Sequence, residues 1–319
     1  MRILTHIHAY PPYHNAGAEW MQHAILRWLV EKGHDCRVLV PDATPYEFEG
    51  VNVYPDTLDN CRELWQWCDI GFTHLNRAGK AWNWAAETNK PIIYTLHNSF
   101  TNRLVEVKQS FALVFNTEWI EKDSREKGYK HYGIVLHPPV WFNDYNTKTN
   151  KKYITLINCW ERKGGKMLIE LAKALPEYKF MGVMGGYGEQ EKADLPNLTY
   201  VANTPTMKDI YSQSRIVLMP SFYESYGRVA VEAMCSGIPV VATETPGLVE
   251  ALGDCGTFVA DYSDVKGFIN AIRSLDKKEH YENISKLSIE RAKSFDRRNV
   301  KELSLLVDFM KRLIQKHHE

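Results

Sequence analysis

The sequence predicts an α/β fold made of two Rossmann-like domains whose lobes face a cleft. Its 319 residues exceed what one hydrophobic core usually serves. Short apolar strands alternate with amphipathic helices throughout, which is typical of parallel sheets covered on both faces. A polar stretch without periodicity, 143–152, interrupts this alternation and is the predicted linker. We therefore expect domains at residues 1–145 and 146–295, followed by a helical tail at 296–319.

The elements of the first half are defined by apolar runs between polar turns. A helix is expected to end at Gly33, where glycine is a common helix stop. The predicted strands are Arg2–His6, Cys36–Pro41, Asp69–Thr73, Pro91–Leu96, Ala112–Asn116 and Gly133–Leu136, and the predicted helices are Ala18–Lys32 and Thr117–Glu126.

The second half restarts the same alternation after the polar stretch. Its predicted strands are Tyr153–Asn158, Lys179–Met184, Asn197–Val201, Arg215–Met219 and Pro239–Thr243, and its predicted helices are Lys166–Leu175, Thr206–Ser212, Arg228–Ser236, Val265–Leu275 and Asn283–His317.

Composition excludes several classes of protein. The 39 basic and 39 acidic residues balance, so no overall field recruits nucleic acid or anionic lipid. The six cysteines are scattered without C-x-x-C spacing, which argues against a disulfide framework and a structural zinc site. No apolar run reaches the roughly 20 residues of a membrane span, and no signal peptide is recognised. We therefore expect a cytoplasmic protein without a transmembrane segment.

The most informative stretch is a strand, a loop and a helix between Pro220 and Pro239. A helix N-terminus near Gly227 offers N–H groups and a partial positive charge to a diphosphate, and glycine allows close backbone approach. Glu224 precedes that helix, where its carboxylate can accept hydrogen bonds from sugar hydroxyls. Glu232 lies inside the helix and is placed to bridge ribose hydroxyls.

Framed by Pro220-Ser221 and Gly237-Ile238-Pro239, this pattern resembles that of the retaining GT-B glycosyltransferases of group 1, or family 4, which include sucrose synthase and many bacterial mannosyl- and glucosyltransferases. The resemblance implies an N-terminal acceptor-binding domain, a C-terminal nucleotide-sugar-binding domain and a terminal helix that packs back toward the first. It also implies transfer with retention, no metal and no cofactor. The donor would be a nucleotide-diphosphate sugar, UDP- or GDP-linked.

The loop after the strand at Tyr153 also matches this family. Lys163-Gly164 agrees with the lysine that grips the donor diphosphate, whereas Asn158 stands where the family has an arginine. Arg162 is the candidate substitute. No Asp-x-Asp constellation that would hold Mg²⁺ between phosphates is present.

Further family-like features concern glycines and histidines. Ala16-Gly17 resembles the family's Gly-Gly loop, and the wording around it resembles phage-encoded relatives. Pro91–His97 resembles a motif whose histidine contacts the donor sugar near the reacting carbon. His74 holds a similar position at a strand end, where ligands gather in open sheets.

The resemblance therefore assigns a set of site residues. These are His97, Lys163 and Glu224 as catalytic groups; Gly17, Asn158, Arg162, Lys163, Gly186, Glu224, Ser225, Tyr226, Gly227, Arg228, Val229 and Glu232 as donor contacts; and His74 and His14 on the acceptor side.

Other functions stay open on sequence alone. The acceptor is unidentified: a glycan, a lipid-linked sugar, a small molecule or a hydroxymethylated base of phage DNA. Neutral net charge does not indicate a nucleic-acid partner. Sugar-nucleotide 2-epimerases use the same two-domain fold, as would a non-catalytic sugar-nucleotide binding protein.

Overall fold

The computed structural model describes residues 1–100 and 111–319. It consists of two compact units. One contains Met1–Pro139 together with Val300–Glu319, and the other is Val140–Asn299. The predicted two-domain α/β fold is confirmed, with the chain changing unit at 139/140 and again at 299/300.

The described part of the first unit contains an eight-stranded sheet. Its strands are β1 (Arg2–His6), β2 (Asp35–Val40), β3 (Tyr46–Phe48), β4 (Val51–Pro55), β5 (Ile70–Thr73), β6 (Ile92–Leu96), β7 (Ala112–Phe115) and β8 (Gly133–Val135). The order is β3-β4-β2-β1-β5-β6-β7-β8, parallel except for β3, which pairs antiparallel with β4. In the middle of the sheet Thr5 of β1 pairs with both Val38 and Phe72. Strands β2 and β4 extend the sheet on one side of β1, and β5 to β8 extend it on the other, so the topological switch point of this sheet lies between β1 and β5.

Helices cover this sheet. They are α1 (Gly17–Glu31), α2 (Leu58–Trp67), α3 (Ala78–Glu87) and α4 (Glu118–Glu126). Side-chain caps start two of them, since Thr57 accepts from the N–H of Asn60 and Thr117 from that of Ile120. The large indole of Trp65 is fully buried in the core between helices and strands.

The second unit has a six-stranded parallel sheet. Its strands are β9 (Tyr153–Ile157), β10 (Phe180–Val183), β11 (Leu198–Val201), β12 (Ser214–Met219), β13 (Val240–Thr243) and β14 (Gly256–Val259), and its helices are α5 (Phe142–Tyr145), α6 (Gly165–Ala174), α7 (Met207–Tyr211), α8 (Arg228–Cys235), α9 (Pro246–Leu252), α10 (Val265–Ser274) and the first part of α11 (Lys278–His318). The order β11-β10-β9-β12-β13-β14 is that of the Rossmann sheet. Its switch point lies between β9 and β12, so the loops after these two strands form the crevice where such sheets bind ligands.

The last part of α11 belongs to the first unit. There Glu302 accepts a hydrogen bond from the backbone N–H of His137, and its other oxygen lies 2.8 Å from Nδ1 of that ring. The ring of Phe309 packs against that of Tyr132, with centroids 5.0 Å apart. These contacts anchor residues 300–319 to the first sheet.

Several elements were not predicted. The hairpin β3–β4 turns through Glu49 and Gly50, both at positive φ, and α2, α3, α9 and β14 were also missed.

The predicted linker is wrong in place, because 143–152 lies within the second unit. Asn146 donates to the carbonyl of Cys235, and the N–H of Thr147 donates to Ser236, which attaches the stretch to α8. Polar residues there satisfy backbone groups of a folded unit rather than solvating a linker.

None of the helices in the described ranges combines the length and apolar character needed to cross a bilayer. The cytoplasmic location stays a prediction.

Candidate active site

The loop after β9 places Lys163 at the switch point of the second sheet. A short 3-10 helix, Glu161–Lys163, ends at Gly164, which starts α6 with φ of +100°. A Cβ at Gly164 would lie 2.2 Å from Cγ of Pro220, the residue that follows β12. Only glycine allows this left-handed conformation and this approach together. The glycine therefore brings the loop after β9 against the loop after β12.

Lys163 and Glu224 meet across these two loops. The ammonium nitrogen of Lys163 lies 2.6 Å from Oε1 of Glu224, and Ser221 donates to the same oxygen at 3.0 Å. Both side chains are largely buried, 21% and 11% exposed. Burial alone would lower the pKa of Lys163, but the Glu224 carboxylate outweighs it and raises the pKa above its ordinary value. The lysine is therefore a fixed positive charge at the crevice.

The helix α8 begins beside this pair. Gly227 caps it in the left-handed conformation, with φ of +91°, and the loop residue Ser225 is half-buried just before it. The first N–H groups of a helix, here those of Arg228 and Val229, have no acceptor within the helix and carry a partial positive charge. Tyr226 is buried, and its hydroxyl accepts from the guanidinium of Arg298 at 2.6 Å. Tyr226 thus anchors the loop that carries Glu224.

Arg228 and Glu232 form a second, buried ion pair one turn apart. Arg228 Nε donates to Oε1 of Glu232 at 2.7 Å, and the hydroxyl of Tyr211 donates to Oε2 at 2.8 Å. The guanidinium also donates to the hydroxyl of Tyr145 at 2.5 Å. Burial raises the pKa of Glu232 despite these bonds, whereas its partners raise the pKa of Arg228 against the effect of burial. Both carboxylate oxygens of Glu232 are thus already hydrogen-bonded.

The side-chain amide of Asn158 packs against the glycine turn after β10. It is uncharged, unlike the arginine that the family has at this position. Asn158 has φ of +71°, and its Oδ1 accepts from the N–H of Trp160 and from Nε2 of Gln190, both at 3.2 Å. A Cβ at Gly185 would lie 2.2 Å from that Oδ1, so the turn packs directly on the amide. Gly186 lies in the bend that follows. Arg162 is exposed, with its guanidinium 5.6 Å from the centre of the Trp160 ring.

The first unit gathers the predicted histidines at its own switch point. His74 follows β5 and is fully buried, and His97 follows β6 with its ring 4.8 Å from that of His74. Burial lowers the pKa of both, that of His97 to about 3, so both imidazoles are neutral at physiological pH. His14 is half-buried in the turn before α1, three residues from Gly17.

Sequence reasoning missed two residues of this cluster, His8 and Glu19. His8 follows β1, and its Nε2 lies 3.2 Å from Oε1 of Glu19. Glu19 lies in the first turn of α1, is 1% exposed, and its other oxygen lies 3.9 Å from Nε2 of His14. Burial raises the pKa of Glu19 to about 7. The available signal was the position of His8 beyond the carboxyl end of a strand that neighbours β5.

Comparison with known proteins agrees with this arrangement. Residues 139–293 match the family model described as Glycosyl transferases group 1. O-antigen chain mannosyltransferase B of Escherichia coli is 35% identical over 91 residues, which are 28% of this chain and 24% of that protein. The chain thus matches about a quarter of the length of such curated relatives.

Solved structures resemble the whole chain. Anabaena HepE in complex with UDP-glucose has a TM-score of 0.79 at 16% identity, covering 97% of this chain and 100% of that one. Sucrose-phosphate synthase from Thermosynechococcus elongatus has a TM-score of 0.76 at 14% identity, covering 99% and 100%. At such identities the likeness concerns the fold, which is the two-domain GT-B fold.

Proposed function

Because residues 139–293 match the model of the glycosyl transferases group 1 family, we propose that this chain transfers a sugar from a nucleotide-diphosphate donor to a hydroxyl acceptor with retention of configuration. The second unit binds the donor, and the first unit binds the acceptor.

One observation carries the proposal: Lys163 and Glu224 are in contact at the switch point of the second sheet, beside the N-terminus of α8. A cation and helix N–H groups together suit a diphosphate, whereas a carboxylate suits sugar hydroxyls. The two groups that a nucleotide sugar needs therefore lie at hydrogen-bond distance from each other. Donor entry would replace their mutual contact by contacts to the donor.

The proposed mechanism is electrostatic. As the bond between sugar and diphosphate breaks, negative charge grows on the leaving phosphate, where the Lys163 ammonium and the N–H groups of Arg228 and Val229 stabilise it. These groups supply the charge that a metal ion would otherwise supply, so we propose that this step is metal-independent. The departing phosphate takes the proton of the acceptor hydroxyl. Glu224 orients the hexose, and neutral His97 is the proposed catalytic histidine of the first unit.

The other predicted donor contacts have different local roles. Gly17 and Gly186 allow close backbone approach, and Arg162 extends from the loop of Lys163. Ser225 and Gly227 contribute backbone groups to the phosphate cradle. Glu232, Tyr226 and Asn158 act mainly by positioning, because their side chains are engaged with Arg228, Arg298 and Gln190. Ribose hydroxyls would bind spare lone pairs of Glu232.

The donor test begins with a UDP-linked hexose, because the similar HepE structure holds UDP-glucose. Purified protein is screened by thermal shift with UDP-, GDP- and ADP-sugars, since a tight donor raises the unfolding temperature by mass action. The best donor is then incubated with an acceptor panel, and NMR reports the anomeric configuration of the product. Mg²⁺ or Mn²⁺ additions should leave the transfer rate unchanged.

The outcomes of this experiment test the reaction type, the stereochemistry and the donor site. Donor binding with transfer and retention supports the proposal, whereas an inverted product overturns the stereochemistry alone. Free nucleotide and an epimerised sugar without acceptor would show an epimerase. No stabilisation by any nucleotide sugar would remove the assignment of the donor site.

A further inference from the structure

We infer that His8, Glu19 and His74 bind a divalent transition metal of the zinc type at the switch point of the first sheet. One ligand atom from each of these three residues lies within 4.8 Å of the others. The closest pair is His8 Nε2 and Glu19 Oε1 at 3.2 Å. Ligand atoms of a tetrahedral zinc site, with bonds of about 2.0–2.1 Å, lie about 3.4 Å apart. Small side-chain movements would complete the triad.

The topology of the first unit gives the triad its place. His8 follows β1 and His74 follows β5, and these neighbouring strands are the two between which the sheet order reverses. Glu19 enters from the first turn of α1. Three elements far apart in sequence therefore converge on the crevice where open α/β sheets bind ligands.

Unsatisfied polar atoms point to a missing partner. Both ring nitrogens of His74 and Nδ1 of His8 are buried and lack a hydrogen-bond partner within the part of the chain that the structure describes. Buried polar atoms are nearly always bonded, so each exception calls for a partner such as an ion. His74 is 0% exposed, which makes loss of hydration by its nitrogens costly. Coordination would satisfy one of them.

Charge supports the same partner. The carboxylate of Glu19 is 1% exposed and faces two imidazoles, those of His8 and His14. The ion pairs that the described residues give Glu19 are those with these two imidazoles, and a dication would supply charge to the carboxyl group directly. Two imidazoles and one carboxylate form a ligand set that zinc uses with an open fourth position, whereas magnesium and calcium prefer oxygen ligands.

A cavity and two further histidines surround the triad. A cavity of about 560 Å³ is lined by His8 and His14, among others, so one ring of the triad borders it. His14 borders the same carboxyl group, with its Nε2 3.9 Å from Oε2 of Glu19, and leaves the fourth position of the triad open. The His97 ring packs edge-on against His74 at 4.8 Å and holds its orientation. The triad belongs to the first unit and the Lys163 and Glu224 pair to the second, and the inference goes beyond the proposed donor chemistry.

The first test is metal binding by the full, tag-free chain. Metal-free protein is titrated with zinc chloride against a chromophoric chelator. We expect one equivalent of zinc, and an affinity at least ten-fold weaker in His8→Gln, Glu19→Gln and His74→Gln. His280→Gln, a histidine of α11 in the second unit, should bind zinc like the unsubstituted chain. Unchanged affinity in all three variants, or no binding by the folded parent chain, overturns the inference.

A second measurement needs no variant. X-ray absorption at the zinc edge should show imidazole and oxygen ligands at about 2.0–2.1 Å. A sulfur ligand at about 2.3 Å would place the metal on one of the six buried cysteines and overturn the inference. UDP binding by the metal-free chain distinguishes the two proposals, because the donor site can hold nucleotide even if no metal binds.

Discussion

The ammonium of Lys163 lies 2.6 Å from Oε1 of Glu224, which joins two loops that are 61 residues apart in sequence. In the proposed complex the lysine binds diphosphate and the glutamate binds sugar. The pair therefore competes with the donor for the same charges. If the pair binds the donor, breaking it changes nucleotide binding and turnover differently; if it is only structural, both fall together.

We expect Lys163→Met and Glu224→Gln to separate nucleotide binding from turnover. Loss of a charged hydrogen bond should weaken UDP binding by Lys163→Met by about ten-fold or more. Glu224→Gln frees the lysine, so UDP binding should stay the same or become a few-fold tighter, while transfer falls by about 10²-fold or more. Calorimetry with UDP and a transfer assay measure the two effects.

The matched control for this pair is Lys166→Met, which removes an exposed lysine paired with Glu161 at 2.5 Å. It should change neither quantity. If Glu224→Gln lost UDP binding as strongly as Lys163→Met, the pair would be structural and the assignment of sugar to Glu224 would fail.

Gly164→Ala should destabilise the chain more than Gly33→Ala. Both glycines have positive φ, +100° and +80°, and a left-handed alanine costs about 1–2 kcal/mol. A Cβ at Gly33 meets nothing within 4 Å, whereas one at Gly164 meets the rigid Pro220 ring at 2.2 Å. Overpacking adds about 1–3 kcal/mol at Gly164. Urea unfolding of both variants measures the difference, and equal losses would contradict the packing argument.

The buried Arg228 and Glu232 pair should behave non-additively. Arg228→Met removes the cation that faces the buried Glu232 carboxylate and leaves it the hydroxyls of Tyr211 and Tyr145, which we expect to cost about 3–5 kcal/mol of unfolding free energy. Glu232→Gln on that background removes the uncompensated charge and should restore part of the loss. A denaturant double-mutant cycle tests this, with additive single effects as the contrary result.

Asp56 should make the first unit sensitive to acid. Its carboxylate lies 3.3 Å from Nε2 of His6, 3.2 Å from the Arg77 guanidinium and 3.0 Å from Nζ of Lys80. Burial raises the pKa of Asp56, but the bonds from His6 and Lys80 and the charge of Arg77 outweigh it and lower the pKa to about 2. Between that value and the unfolded value of about 4, the unfolded chain binds more protons, so stability rises with pH there.

Asp56→Asn should therefore cost about 1–2 kcal/mol at pH 6, and the difference from the parent chain should shrink as pH falls from 4 toward 2. Urea unfolding at several pH values measures it. Asp59→Asn is the control, because the Asp59 side chain is 94% exposed and its ion pair with Arg62 is long, at 3.6 Å. A pH-independent difference would show that Asp56 acts by packing.

Local patterns predicted the elements that form from neighbours in sequence. Strand β1 was predicted residue for residue, and α8 within one residue, because apolar periodicity and glycine stops are local signals. The placement of 143–152 depends on contacts with distant residues such as Cys235 and Ser236, and strand β4 of the short hairpin pairs with β2. No local pattern contains that information.

The candidate sites divide in the same way. Strand–loop–helix motifs contain Lys163, Gly164, Glu224 and Gly227, so the sequence predicted these residues as donor-binding groups. It did not predict that Lys163 and Glu224 contact each other. His8 stood in no such motif, and Glu19 stood beside Ala16-Gly17 without being predicted as a site residue. A single histidine beyond a strand is common, and only its neighbours make it a ligand.

The sequence by itself determined two Rossmann-like halves and the motifs in which the proposed diphosphate-binding residues stand, because glycines, caps and apolar periods act over a few residues. Tertiary structure decided which strand ends lie side by side, and so assembled His8 with Glu19 and His74, and Lys163 with Glu224. The physical reason is that parallel strands join through long crossovers. Their order in the sheet follows from the packing of whole layers, which no single segment encodes.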